Sequence, residues 1–145
     1  MTVFYRLLMK EILIIDKTGH IESALGLTAF STIELDDEVV GLNTVGEIEP
    51  TVILLHHNVM EEQTSYYIKL LLESSRQSNV VVIASALDER EILSCLLAGA
   101  NGYQNINQLG DYADRLVTAV GKGEAWITRR MTAILIDSLR ESSFE

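Results

Sequence analysis

Short apolar runs bounded by polar residues alternate along this chain with segments whose apolar residues recur every three or four positions. Three of the runs have an interior without a polar break, which is typical of strands buried on both faces of a sheet. They are Glu11–Asp16, Val52–Leu55 and Asn79–Ser85. We expect Val52–Leu55 to be the central strand, because it stands between Pro50 and the polar group His56-His57-Asn58.

The segments with a spacing of three or four residues predict amphipathic helices. The predicted helices are a short one containing Ile21, Ala24 and Leu25, then Glu61–Gln77, Asp88–Ala98, Asp111–Lys122 and Thr128–Leu139. The core-facing sets expected in two of them are Leu93, Leu96, Leu97 and Ala100, and Ala113, Leu116, Val117 and Val120. A short strand is expected at Gly102–Asn105.

The pattern is weakest between Thr28 and Glu49. We place a strand near Ser31–Leu35 and a helix near Asp37–Ile48. Two glycines weaken the helix prediction, because glycine is a poor helix former. Val40–Val45 therefore remains an alternative strand.

Taken together, the elements form five alternating β/α units, and such alternation implies a parallel sheet with helices on both faces. A length of 145 residues fits one such domain. We assign residues 1–127 to the domain. Residues 128–145 are expected to form a C-terminal helix and the start of a linker.

Composition excludes several classes of function. A formal net charge of −10 argues against nucleic-acid binding by this chain itself, because phosphate contacts need clustered lysine and arginine. Cys95 is the only cysteine, so an internal disulfide is impossible, and we expect a small, partly buried hydrophobe. No apolar run is long enough to span a bilayer. The opening Met1–Glu11 lacks the features of a signal peptide, so we expect a cytoplasmic protein without membrane partners.

Enzymes of other α/β classes carry motifs that this sequence lacks. It contains no GxGxxG, no Walker A pattern and no Gly-x-Ser-x-Gly elbow. We expect a non-enzymatic protein that needs no cofactor.

Two motifs follow the apolar run at residues 79–85, and together they indicate a resemblance to a known family. The first is Ala98-Gly99-Ala100-Asn101-Gly102-Tyr103, and the second, about twenty residues later, is Gly123-Glu124-Ala125-Trp126-Ile127. With them, the chain from about Glu11 to Leu139 resembles the receiver domain of bacterial response regulators. It is most similar to the LuxR/NarL-type subclass, which carries a C-terminal helix-turn-helix. The resemblance implies a flavodoxin-like doubly wound sheet of five strands in the order 2-1-3-4-5, with an extra C-terminal helix.

Receivers accept a phosphoryl group on an aspartate that follows the third strand, and the reaction also uses Mg²⁺, a lysine and a hydroxyl group. By the resemblance, the acceptor position is His56, the acidic pair is Asp16-Lys17, and the lysine position is Ile106. Ser85 occupies the hydroxyl position. The resemblance also puts Asp16 beside His56. With one carboxylate and no cation at the lysine position, we interpret the chain as a degenerate receiver, or pseudo-receiver, without aspartyl phosphorylation.

The histidines expected near Asp16 admit other interpretations. His56 is more simply a residue that caps a strand end by hydrogen bonding than a phosphohistidine, although an imidazole nitrogen can accept a phosphoryl group. A metal site formed with His20 and His57 is disfavoured, because adjacent strand residues point to opposite faces. We expect no metal unless Asp16 retains a weak Mg²⁺ site. Lys17 is hypothesised to reach over Asp16 and take the place of the cation.

Two aromatic residues have roles that the resemblance implies. Tyr103 matches the switch aromatic of the family, and the equally weighted alternative is a half-buried edge residue. Trp126 is expected to anchor the exit segment on the domain.

The leading functional expectation is the regulatory module of a LuxR-type transcription factor in two-component signalling. We expect a homodimer through the face formed by 88–98, 102–104 and 111–122, or through the C-terminal helix. DNA would be bound only through a domain absent from this chain. The alternatives are an atypical phosphoacceptor that uses His56 and a small-ligand sensor, for example of a nucleotide.

Overall fold

Five strands form one sheet in the computed structural model, which describes residues 11–26 and 30–143. In chain order they are β1 (Glu11–Ile15), β2 (Ser31–Leu35), β3 (Val52–His56), β4 (Asn79–Ala84) and β5 (Gly102–Asn105). All neighbouring pairs are parallel, and the order across the sheet is 2-1-3-4-5. The predicted fold class is therefore confirmed. The predictions made for the opening residues 1–10 and for the last two residues of the tail lie outside the described residues.

Helices cover both faces of this sheet. They are α1 (His20–Leu25), α2 (Glu38–Ile48), α3 (Thr64–Ser74), α4 (Glu89–Leu97), α5 (Ile106–Gly121) and α6 (Arg129–Ser143). Two 3₁₀ turns, His57–Val59 and Glu61–Gln63, connect β3 to α3. Among the described residues, no helix is both long and apolar enough to cross a membrane.

Alternate residues of the central strands point into two apolar layers. In β3, Val52 and Leu54 contribute to the layer beneath α1 and α5, whereas Ile53 and Leu55 contribute to the layer beneath α2 and α3. All four side chains are fully buried. An apolar run without polar breaks follows from this, because neither face of the strand meets water.

The segment 38–48 is a helix and not the alternative strand. Asp37 caps it, because its Oδ2 accepts hydrogen bonds from the N–H groups of Val39 and Val40. Gly41 is needed where α2 meets α3. A Cβ at this glycine would lie 2.9 Å from the hydroxyl oxygen of Tyr67, which donates to the carbonyl of Glu38. The glycine that weakened the helix prediction thus permits a close helix contact.

The predicted helix at Glu61–Gln77 is shorter in the structure. Its first residues form the 3₁₀ turn, because the backbone of Glu61 has a positive φ of 48° and Thr64 Oγ1 bonds back to the carbonyl of Glu61. The helix ends at Ser74, since Ser75 is extended and its hydroxyl bonds to Ser78 in the next turn.

Two further helix predictions need correction. In α4 the most deeply buried side chains are those of Ile92, Cys95 and Leu96, whereas Leu97 is 49% exposed. The predicted set is therefore right for Leu96 and Ala100, which are buried, and wrong for Leu97, although Ala100 lies beyond the end of the helix. Helix α5 begins at Ile106, five residues before the predicted start at Asp111, because Asn105 caps it. The burial of Ala113, Leu116, Val117 and Val120 is confirmed.

Candidate functional site at the carboxyl edge of the sheet

The carboxyl ends of β1 and β3 bring Asp16 and His56 together. Ile15 pairs with Leu55 in the register of the two strands, so the next residue of each strand lies at the same edge. Both side chains are buried, with 1% of Asp16 and 8% of His56 exposed. The juxtaposition that the resemblance implied is therefore present.

The carboxylate of Asp16 is occupied by hydrogen bonds from its own loop. Oδ1 accepts from Thr18 N at 2.8 Å and from Thr18 Oγ1 at 2.7 Å, and Oδ2 accepts from Ile21 N at 3.0 Å. Burial alone would raise the pKa of Asp16, but these hydrogen bonds outweigh it and hold the pKa below its ordinary value. The carboxylate fixes the turn after β1 and satisfies an N–H group in the first turn of α1.

His56 caps the turn that follows its strand, as the simpler interpretation held. Its Nδ1 accepts a hydrogen bond from Asn58 N at 3.1 Å. An accepting Nδ1 carries no proton, so the proton of the neutral ring lies on Nε2. Burial lowers the pKa of His56 below its ordinary value, and the nearby carboxylate of Asp16 opposes this only in part. The ring is therefore neutral at pH 7.

Lys17 does not lie over Asp16. Its Nζ is 3.3 Å from Oε2 of Glu38, the first residue of α2, in an ion pair whose members are both partly exposed. The hypothesis that Lys17 replaces the cation is not supported, because the buried oxygens of Asp16 already accept three hydrogen bonds. The carboxylate that Lys17 approaches is that of Glu38 instead.

A cavity of about 550 Å³ opens beside His56. It is lined by His56, His57, Asn58, Glu61, Glu62, Ala84, Ser85, Ala86, Leu87, Asp88 and Glu91. This lining holds four carboxylates and no lysine or arginine, so it disfavours an anion such as phosphate. Oδ1 of Asn58 is buried there without a hydrogen-bond donor.

The two adjacent histidines have different partners. The ring of His57 points to α4, where its Nε2 lies 3.3 Å from Oε1 of Glu91. Within the described part of the chain, no group of three or more His, Cys, Asp or Glu residues is arranged to hold a metal ion.

By the resemblance, Ser85 and Ile106 occupy the hydroxyl and lysine positions of the phosphoryl-transfer site. The side chain of Ser85 is exposed, and its carbonyl accepts a hydrogen bond from Asn105 Nδ2 at 2.7 Å. Ile106 is the first residue of α5 and packs against the apolar layer beneath that helix. An isoleucine at this place contributes to the core and offers no charge to the edge.

Tyr103 is a half-buried residue of the edge strand β5. Its hydroxyl donates to the carbonyl of Ala84 at 3.2 Å, and burial raises the pKa of the phenol. The ring packs in an apolar cluster with Ile92, Leu96 and Met131. The structure thus has Tyr103 as a half-buried edge residue, and the switch role stays a prediction.

Trp126 anchors the exit segment, as predicted. Its backbone extends the sheet beyond β5 through a bridge to Gly102, and its Nε1 donates to Gln104 Oε1 at 2.9 Å. A Cβ at Gly102 would collide with the carbonyl oxygen of Trp126. The two motifs that carry the resemblance are thus in direct contact. Cys95 was expected to be partly buried, but it is only 2% exposed, and burial raises the pKa of its thiol to about 12.

Sequence reasoning missed the role of the first turn of α4. Glu91 contacts His57 at the cavity, and Glu89 contacts Arg130 of α6 at 2.6 Å. The available signal was the group of acidic residues at the start of this helix, but no spacing rule identifies partners so distant in the chain.

Comparison with known proteins identifies the fold. No protein-family model matches this sequence, and no curated protein matches it. A LuxR-family two-component response regulator from Aurantimonas sp. SI85-9A1 has a similar structure, with a TM-score of 0.73 and 11% identity over 90% of this chain and 97% of that chain. The isolated REC domain of RcsB from Salmonella enterica serovar Typhimurium has a TM-score of 0.73 and 13% identity over 87% and 98% of the two chains.

A third similar structure is the signal receiver domain of the putative response regulator NarL from Mycobacterium tuberculosis. Its TM-score is 0.68, with 18% identity over 80% of this chain and 98% of that chain. At such identities the similarity is one of fold. The chain has the flavodoxin-like fold of receiver domains.

Proposed function

We propose that this chain is the receiver-like regulatory module of a bacterial LuxR-type response regulator, and that it works without aspartyl phosphorylation. Its fold, shared over nearly the full length of receiver domains from such regulators, supports the first part. The chemistry of the sheet edge supports the second.

The observation that carries the proposal is the state of Asp16 and His56. The carboxylate of Asp16 already accepts three hydrogen bonds from Thr18 and Ile21, and the acceptor position holds a neutral imidazole. A single engaged carboxylate is a poor site for Mg²⁺, which prefers several oxygen ligands and retained waters. Ile106 supplies no charge where phosphoryl transfer needs a cation.

The geometry does not favour His56 as a substitute nucleophile. The lone pair of Nδ1 is engaged with Asn58 N, and in that tautomer Nε2 bears the proton. The acidic lining of the cavity would repel an incoming phosphate. The same lining argues against an anionic small ligand such as a nucleotide.

A module of this kind acts through protein contacts. We propose a homodimer in the cytoplasm, no catalytic activity, and DNA contact only through a domain outside this chain. The exposed apolar side chains Leu97, Ile136 and Leu139 on α4 and α6 are available for such contacts.

The test is exposure of the protein to acetyl phosphate and Mg²⁺, followed by intact-mass measurement. We expect the mass to stay unchanged, while a phosphorylatable receiver treated in the same tube gains one phosphoryl group. A stable gain by this chain that is lost in His56→Ala would contradict the proposal.

A further inference from the structure

The wall of the cavity beside His56 contains an imidazole N–H group that no described residue satisfies. The side chain of His56 is 8% exposed, so more than nine-tenths of it is buried. Its Nδ1 accepts from Asn58 N within the turn, so the proton of the neutral ring lies on Nε2, at the opposite side of the ring. Within residues 11–26 and 30–143, no acceptor lies within hydrogen-bond distance of Nε2.

Nε2 of His56 is nevertheless accessible from the cavity. The fully covered polar atoms without a partner in the described part of the chain are Oε2 of Glu38 and Oδ1 of Asn58, and Nε2 is not one of them. It therefore keeps contact with the space that the ring of His56 lines. A buried donor that faces an open cavity and has no partner is a group that an occupant can satisfy.

Four carboxylates line the same cavity. Asp88 and Glu91 come from the start of α4, and Glu61 and Glu62 come from the turn before α3. Asp88 accepts from Glu91 N at 2.9 Å as the cap of α4, and the carboxylate of Glu91 lies 3.3 Å from the ring of His57. Among the described residues, Glu61 and Glu62 form no ion pair. The cavity thus places uncompensated negative charge around one hydrogen-bond donor.

This combination selects one class of ligand. Carboxylates repel an anion. A bare metal ion is disfavoured because a protonated Nε2 donates and cannot coordinate, and because no group of three His, Cys, Asp or Glu among residues 11–26 and 30–143 is arranged to hold one. An organic molecule remains, with charged nitrogens for the carboxylates and an oxygen that accepts from Nε2. The cavity volume of about 550 Å³ suits a small molecule.

We propose that this cavity binds a small hydroxylated diamine, a molecule of the amino-alcohol or amino-sugar class. Its ammonium groups pair with the carboxylates at the two sides of the cavity, on the turn before α3 and on α4. One of its hydroxyl oxygens accepts the hydrogen bond from Nε2 of His56. Charge-assisted hydrogen bonds supply most of the affinity, and the buried imidazole supplies the preference for a hydroxyl group. The inference goes beyond the proposed function, because it assigns a class of input molecule and depends neither on dimerisation nor on phosphate chemistry.

The test uses three six-membered-ring compounds of similar size. The compound 2-deoxystreptamine has two ammonium groups and several hydroxyl groups, cis-1,3-diaminocyclohexane has the ammonium groups alone, and myo-inositol has hydroxyl groups alone. Each is titrated into the ¹⁵N-labelled full chain at pH 7, in about 50 mM NaCl so that screening is modest. Amide chemical shifts of residues 56–62 and 84–91 report on the cavity and give the dissociation constants.

We expect 2-deoxystreptamine to bind with a dissociation constant of about 1 mM or lower, and about fivefold or more tightly than cis-1,3-diaminocyclohexane. For myo-inositol we expect no saturable shift, because it leaves the carboxylates unpaired. In His56→Asn, which retains an acceptor for Asn58 N, the two diamines should bind equally, because the Nε2–H donor is gone. If that variant does not fold, the comparison of the diamines on the natural chain still decides.

A matched pair of double variants tests the carboxylates. Glu61→Gln with Glu62→Gln should weaken the binding of 2-deoxystreptamine about tenfold, because two charged partners are lost. Glu47→Gln with Glu73→Gln removes the same charge from α2 and α3 outside the cavity, and should change the dissociation constant by less than about twofold. All four glutamates are exposed, so both variants are expected to fold.

The site is refuted if 2-deoxystreptamine gives no saturable shift in the cavity, if the two diamines bind the natural chain equally, or if the control variant weakens binding as much as the cavity variant. The last two outcomes would mean that an acidic surface collects cations without using His56. These results are separate from the test of the proposed function. Phosphorylation by acetyl phosphate would overturn the phosphate-independent module and leave the diamine titrations valid, whereas an unphosphorylated chain that binds no diamine would overturn this site alone.

Discussion

Asp16 holds the turn after β1 by three hydrogen bonds inside the protein. Removing this buried carboxylate would leave the N–H groups of Thr18 and Ile21 without a hydrogen-bond acceptor, which costs free energy. The resemblance marked this residue as a remnant of a phosphate pocket. Its contacts make it a structural residue as well, and that role depends on loop geometry that no residue pattern displays.

We predict that Asp16→Ala lowers the free energy of unfolding by about 3 kcal/mol, because hydrogen bonds to a charged group contribute about 1.5–3 kcal/mol each and are not additive. Asp16→Asn should lose less, since it keeps an acceptor for Thr18. Urea denaturation at neutral pH measures both. The control is Glu22→Ala on the exposed face of α1. A loss of under about 0.5 kcal/mol for Asp16→Ala would contradict the structural role.

We predict that the free energy of unfolding decreases in two steps as the pH is lowered. The pKa of His56 is lowered in the fold from 6.5, so its contribution is complete above about pH 6.5 and is lost as pH falls through the lowered value. The pKa of Asp16 is lowered from 3.8, so its contribution is lost at still lower pH. The nearby His20 and His57 contribute to the lowered pKa of His56.

Urea denaturation at a series of pH values distinguishes the two steps. His56→Asn retains an acceptor for Asn58 N but does not titrate, so the upper step should disappear. His20→Asn, at an exposed position, should keep it. An upper step that survives in His56→Asn would show that another group is responsible.

At the scale of elements, the strands were predictable and the helix ends were less so. Apolar runs buried on both faces predicted β1, β3 and β4. The less regular β2 at Ser31–Leu35 and β5 at Gly102–Asn105 are confirmed as well. Helix ends depend on caps and on glycines with packing roles. Gly110 stands inside α5 because a Cβ there would come within 3.2 Å of the carbonyl of Ala24 on α1. A packing glycine cannot be distinguished from a helix breaker without the partner helix.

We predict that Gly102→Ala lowers the free energy of unfolding by about 2 kcal/mol or more, because the new methyl group must displace the backbone of Trp126. Gly46→Ala is the matched control. Its Cβ would meet only the side chain of Ser74 at 3.8 Å, and alanine should stabilise α2 by about 0.5–1 kcal/mol. Thermal and urea denaturation measure both, and equal effects of the same sign would contradict this account of Gly102.

At the scale of the whole molecule, the sheet edge shows where sequence reasoning succeeds. The fold and the neighbouring positions of Asp16 and His56 followed from alternation, two motifs and a resemblance. The partners of Lys17 and His57 did not, because Glu38 and Glu91 belong to elements whose packing no local pattern specifies. The packing of α6 against α4 and β5 escaped prediction for the same reason.

We predict that salt stabilises this protein. The net charge of −10 makes the compact state repel itself, and the described residues contain few ion pairs that compensate. Raising NaCl from about 20 mM to about 200 mM shortens the Debye length and should raise the free energy of unfolding by about 1 kcal/mol. Urea denaturation at both concentrations measures the change. Lower stability at high salt would mean that attractive ion pairs dominate.

Trp126 is the only tryptophan of the chain, and it lies where the sheet passes into the terminal helix. Its indole is bonded to Gln104 and meets the ring of Tyr112 edge-on at 6.4 Å. Intrinsic fluorescence therefore reports on a single location in the unlabelled molecule. A ligand or partner that loosens this junction should change the emission, so such molecules can be screened optically without a label.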